Sequence, residues 1–197
     1  ERKWNCRINF SAIDTLAIKG NPKLDCKEIS RNFNKEISTG NSRYAIFLQR
    51  CIAVRALIEG KSVHAHIIKA EEEPSIYLLN SLITMYAKCS NINYARHVFD
   101  KMSERDVISW NAMIASYSQN GFGEEALYVF RGMQLAGMKY DKYTFVSVVK
   151  ACASLADVVQ GKQVYACVIK YGLESDLFVA SAFVDMHAKC GSIKDAR

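Results

Sequence analysis

The 197-residue chain is half apolar and 23% charged, a composition that excludes a disordered or collagen-like polymer. Its formal net charge of +6 permits a polyanionic partner, but residues 1–41 hold eight Lys/Arg against five Asp/Glu and the rest eighteen against fifteen, so no basic block marks a nucleic-acid tail. Seven cysteines without a C-x-x-C pair argue against a zinc ribbon or closed disulfide framework and fit a reducing compartment, and no run reaches the roughly 18 apolar residues that a membrane span requires.

Pro22 and Pro74 are the two prolines, so nearly all of the chain after Pro22 is free to be helical. Residues 1–40 lack a clear period and read as an N-terminal extension, with one helix expected near Lys27 to Ile37. Units then follow at 41–75, 76–106, 107–141 and 142–176, with an incomplete one at 177–197; Asp106, Asp141 and Asp176 each close a unit. The 76–106 unit carries Leu82, Met85 and Tyr86, then Ala95, Val98 and Phe99, on helix-spaced stripes. In 107–141, Trp110, Met113, Ile114 and Tyr117 fall at i, i+3, i+4 and i+7, one face of an amphipathic helix. Ser109 is its expected N-cap, and Asn120 with Gly121 its stop. Gly123 opens a second helix that places Ala126, Leu127, Phe130 and Met133 inside and Glu124 and Glu125 near its positive end; Gly137 ends it.

At 142 the cycle restarts. Residues 42–96 and 143–197, offset by 101, are identical at fifteen of 55 positions without a gap, among them Cys51/Cys152, Gly60/Gly161, Met85/Met186 and Cys89/Cys190. Chance gives about 1 in 17 per position, so the chain is internally duplicated, in units of 35, 31 and 35 residues. Each unit is expected to be two antiparallel helices, neither of which buries its apolar stripe alone. Stacking completes the core, and the fold class is an all-α solenoid with a concave face. The chain ends at Arg197 in mid-pattern and reads as a fragment, so the apolar face of residues 178–190 is expected to lie open.

The stretch Val107-Ile-Ser-Trp-Asn-Ala-Met-Ile resembles the standard unit of plant organellar pentatricopeptide repeat proteins. Met85-Tyr-Ala-Lys-Cys with Ala95-Arg-His-Val-Phe-Asp resembles their short unit, and Lys150-Ala-Cys-Ala-Ser-Leu with Gly161-Lys-Gln-Val their long unit. Residues 41–197 are thus similar to the subclass that cycles long, short and standard units. The resemblance implies a right-handed α-solenoid that binds single-stranded RNA, one base per unit, in a chloroplast or mitochondrion, as a site-recognition factor in RNA processing or C-to-U editing, with editing or processing proteins as further partners.

In that family the fifth and last residues of a unit read the base and the second packs against it. Carried over, the resemblance implies base reading by Asn80 with Asp106, by Asn111 with Asp141, and by Ser181, and base packing by Tyr77, Ile108 and Phe178. An Asn amide donates and accepts at once and suits a pyrimidine edge; the implied preference is U at both Asn–Asp units and a purine at Ser181. The long units pair Ala45 with Ser75 and Val146 with Asp176; neither Ala nor Val hydrogen-bonds a base, so these units are expected to be permissive.

Simpler readings stand beside these. Asn80 and Asn111 suit helix caps, Tyr77, Tyr143 and Phe178 suit core aromatics, and Cys51, Cys89, Cys152 and Cys190 suit small packed apolar residues. His64 and His66 are two apart, about 200° around a helix, which is poor geometry for one metal, and read as surface or partly buried histidines. No phosphate loop, catalytic triad or deaminase signature occurs in the sequence. The chain therefore reads as a binder without catalytic residues, cofactor, metal, membrane or small-molecule substrate. Two alternatives are a protein-binding scaffold that uses the same concave surface and the recognition arm of an RNA-editing enzyme.

Overall fold

The computed structural model describes residues 41–70 and 73–191, with side chains from Tyr44 onward; the expected helix near Lys27 to Ile37, Cys6 and Cys26 lie outside them. The described residues form nine α-helices: α1 (Asn41–Val54), α2 (Leu57–Lys69), α3 (Ile76–Lys88), α4 (Ile92–Lys101), α5 (Val107–Gln119), α6 (Gly123–Leu135), α7 (Lys142–Leu155), α8 (Val158–Lys170) and α9 (Leu177–Lys189). The fold is an all-α helical-repeat solenoid. None of these helices is long and apolar enough to cross a membrane.

The first helix of a unit starts where a short oxygen-bearing side chain satisfies its free amides. Ser75 caps α3, Asp106 caps α5, Asp141 caps α7 and Asp176 caps α9. Ser109 is therefore not the cap of α5. It is the third helical residue, and its hydroxyl accepts from the Asp106 amide while Asp106 accepts from the Ser109 amide, a reciprocal capping box. An anionic carboxylate also suits the positive end of the helix better than a hydroxyl does. At the other end Asn120 is the C-cap and Gly121, at φ 82°, takes the left-handed turn that a side chain would strain.

The helix stripes close on one another. Met113, Ile114 and Tyr117 of α5 are buried with Trp110 half-buried, and Ala126, Leu127, Phe130 and Met133 of α6 are buried, in a core cluster that runs from Ala45 to Met186. Burying each large apolar side chain contributes about 1.5–3 kcal/mol. Cys51 and Cys152 are fully buried, Cys89 and Cys190 half-buried against that cluster, and burial pushes the Cys152 thiol up to about 11. The Cys152 thiol thus stays protonated, and all four pack as small apolar groups. His64 is buried rather than superficial, with Nδ1 2.8 Å from the Tyr86 hydroxyl.

The stacking pattern gives the solenoid its two sides. Each first helix touches the next, in the row α1, α3, α5, α7, α9, whereas each second helix touches its own first helix and the following one. Among the described residues no second helix approaches another second helix. A row of close first helices backed by spaced second helices curves toward the first helices, so these line the inner face. The apolar face expected to lie open over residues 178–190 is open only in part, at Phe178 and Val184. Helix α9 packs on α7 and α8, which bury Val179, Ala182, Phe183 and Met186 and leave Val184 exposed.

Candidate nucleic-acid interface

The first helices carry six Lys/Arg against one Asp, the second helices seven against four. With the N-caps Asp106, Asp141 and Asp176 on the first row and Asp157 on the second, the basic excess is the same on both rows, so charge by itself does not mark the inner one.

One residue in the first turn of four successive first helices stays out of the core. Tyr77, Ile108, Tyr143 and Phe178 are 64, 64, 65 and 65% exposed. Large apolar side chains this exposed, at one register in consecutive units, form a ladder and not scattered surface residues. The reading of Tyr77, Tyr143 and Phe178 as core aromatics is thereby overturned. Lys142 ties two rungs: its ammonium lies 5.5 Å from the Tyr143 ring and 5.3 Å from the Phe178 ring, and 3.9 Å from Asp176.

Beside the ladder, the fifth and last residues of two units meet. Asn80 Nδ2 donates to Asp106 Oδ1 at 3.3 Å, and Asn111 Nδ2 donates to Asp141 Oδ1 at 2.9 Å. Neither Asn caps a helix, since Ser75 and Asp106 hold those positions. The residues are 26 and 30 apart in sequence, and stacking brings them together because each Asp is the N-cap of the next first helix. Burial works to raise the Asp106 carboxyl, but hydrogen bonds from the Ser109 hydroxyl and amide and from Asn80 outweigh it and hold it below the ordinary carboxylate value. The carboxylate is therefore a fixed anion that dictates which end of the Asn amide faces it.

The other units differ. Ala45 is buried and Val146 half-buried, and neither has a polar side-chain atom to offer. Ser181 is exposed, and its hydroxyl donates to the Phe178 carbonyl at 2.9 Å, which leaves its lone pairs available. Lys142 and Thr144 escaped the sequence reading. Asp141-x-x-Thr144 and Asp106-x-x-Ser109 are a repeated capping-box pattern that could have revealed the second of them.

Comparison with known proteins bears on the repeat itself. Residues 77–107 match the PPR repeat, and residues 105–154 match the PPR repeat family. A putative pentatricopeptide repeat-containing mitochondrial protein of Arabidopsis thaliana is 42% identical over 154 residues, covering 78% of this chain and 24% of its own length. The chain is a pentatricopeptide repeat protein. The Arabidopsis thaliana pentatricopeptide repeat-containing protein CRR2, chloroplastic, is 40% identical over 157 residues, covering 77% of this chain and 24% of its own. The chain thus spans about a quarter of the length of these curated relatives. In fold it is similar to the pentatricopeptide repeat protein PPR10 in complex with an 18-nt psaJ RNA element, with a TM-score of 0.67 at 22% identity over 87% of this chain and 26% of that one. The structure of PPR10 from maize gives a TM-score of 0.65 at the same identity.

Proposed function

We propose that this pentatricopeptide repeat chain binds single-stranded RNA along its inner row of first helices, one base per unit. The observation that carries the reading is the coincidence of the exposed ladder Tyr77, Ile108, Tyr143 and Phe178 with the Asn80–Asp106 and Asn111–Asp141 pairs at the same helix ends. An apolar surface on which a base stacks, next to an amide that both donates and accepts, is what recognition of an unpaired base requires. The two Asn–Asp units read consecutive pyrimidines, with U favoured; the unit with Val146 is permissive, and Ser181 favours a purine. With the N-terminus toward the 5′ side of the RNA, the implied core is 5′-U-U-x-(A/G).

The chain acts here as a binder and not as an enzyme. Mitochondrial and chloroplastic relatives support an organellar setting, and units of 35, 31 and 35 residues support the subclass of alternating long, short and standard units. A role in RNA processing or C-to-U editing follows from that subclass. Selection of binders from random single-stranded RNA tests the reading. Enrichment of a motif with two adjacent pyrimidines is expected; enrichment without them overturns the assignment of Asn80 and Asn111, and no enrichment while a peptide binds the same face replaces RNA by protein as the partner.

A further inference from the structure

The two Asn–Asp pairs are not alike. Thr144, the third residue of α7, is fully buried, and its hydroxyl lies 2.6 Å from Asn111 Oδ1 as well as 2.9 Å from Asp141 Oδ1. The Asn111 amide therefore has two anchors from the following unit, with Nδ2 donating to Asp141 and Oδ1 accepting from Thr144. Ser109 occupies the corresponding place beside Asn80. Its hydroxyl donates to Asp106 Oδ1 at 2.8 Å, and Asn80 Oδ1 is buried without a hydrogen-bond partner among the described residues. Asn80 thus has one anchor, a 3.3 Å bond from Nδ2.

An amide has one donor end and one acceptor end, and its order along a base edge decides which pyrimidine it matches. Uracil presents an acceptor at position 4 and a donor at position 3; cytosine presents a donor at position 4 and an acceptor at position 3. An amide held in one orientation fits one of these and sets like against like with the other. If the Asn111 amide turned over, Oδ1 would face the Asp141 carboxylate, and the Thr144 hydroxyl would keep only Asp141 Oδ1 as its acceptor.

We propose that Thr144 is a positioning residue that locks the Asn111 amide and so sharpens discrimination between uracil and cytosine in unit 107–141, beyond what Asn80 achieves in unit 76–106. The inference rests on Asn111 reading a base. On binding, the single hydroxyl proton of Thr144 either stays on Asn111 Oδ1, which keeps a second lone pair for the base, or turns to Asp141 Oδ1; neither needs backbone movement.

The test measures Kd of the 197-residue chain for short single-stranded RNAs that differ by U or C at one of the two adjacent positions. In the unmutated chain the C/U ratio of Kd is larger at the base opposite Asn111 than at the base opposite Asn80. Thr144→Val lowers that ratio about threefold or more opposite Asn111, the worth of one hydrogen bond, and leaves the ratio opposite Asn80 unchanged. Thr144→Ser restores it. A purely structural loss of the cap would weaken binding at both positions alike, and the ratio in the unmutated chain stands whether or not Thr144→Val folds. Equal ratios in the unmutated chain, or a Thr144→Val ratio like wild type, overturn the inference. Asn111→Ala separates the two levels: if it abolishes discrimination while Thr144→Val does not, positioning by Thr144 fails and base reading stands. If Asn111→Ala changes nothing, or the unmutated chain binds no RNA, the base-reading proposal falls and this inference with it.

Discussion

Gly161 of α8 faces the thioether of Met186 on α9 so closely that a Cβ added to the glycine would lie 2.4 Å from Sδ. Gly60 and Met85 repeat this contact with the same 2.4 Å approach one cycle earlier. Two of the identities at the offset of 101 are therefore the two halves of one contact, where the second helix of a long unit meets the first helix of the next.

Gly161→Ala is expected to destabilise the chain by up to about 2 kcal/mol. Overpacking costs about 1–3 kcal/mol, against which alanine's better helix propensity returns about 1 kcal/mol, and the fully buried Met186 side chain must shift its Sδ and Cε to make room. In a Met186→Ala background the same change becomes stabilising. Urea melts of the four proteins in a double-mutant cycle check this, and additive effects would show that the contact does not constrain position 161.

Asp141 has two roles that substitutions can separate. Its carboxylate caps α7 and accepts from Asn111. Asp141→Ala is expected to lower stability by about 1–2 kcal/mol, whereas Asp141→Ser, which still caps, costs a few tenths. Both change base preference opposite Asn111. Thermal melts together with RNA binding distinguish the roles; a loss of stability in Asp141→Ser equal to that in Asp141→Ala would contradict capping as the structural one.

Tyr143→Ala should leave stability within about 0.5 kcal/mol of wild type because the ring is an exposed rung. It should weaken binding of single-stranded RNA by about 1–3 kcal/mol, the worth of one base stacked on an aromatic ring. Fluorescence anisotropy with labelled RNA measures the second and a melt the first. Unchanged affinity would remove the ladder from the binding surface.

Stability should fall in mild acid through His64. Burial, with a smaller contribution from His97, lowers its pKa to about 4, against about 6.5 in an unfolded chain. Because the folded value is the lower, the unfolded chain binds the extra proton between these values. The stability that neutral His64 contributes is complete above about pH 6.5 and is lost as pH falls toward about 4, at up to about 1.4 kcal/mol per pH unit. His64→Gln should flatten this dependence, measured as the urea midpoint across that range; an equal slope in the variant would assign it to other groups.

The period, the helix pairs and their buried faces were legible in the amino-acid sequence because they are local. Apolar residues such as Met113, Ile114 and Tyr117 recur at the helical spacing, and the identities at offset 101 report the same contacts made twice. Position alone also marked the pairs Asn80 with Asp106 and Asn111 with Asp141, through a family resemblance and not through chemistry. Backbone geometry had to decide that Asp106 caps α5 and Ser109 stands inside it, since both residue types are good caps. Tertiary stacking alone decided that Tyr77, Tyr143 and Phe178 face solvent, because an aromatic in a first turn suits core and surface equally until its neighbours are placed. It also decided that Thr144 reaches Asn111 while Ser109 does not reach Asn80. Those contacts join side chains about thirty residues apart and are set by how one helix pair seats against the next.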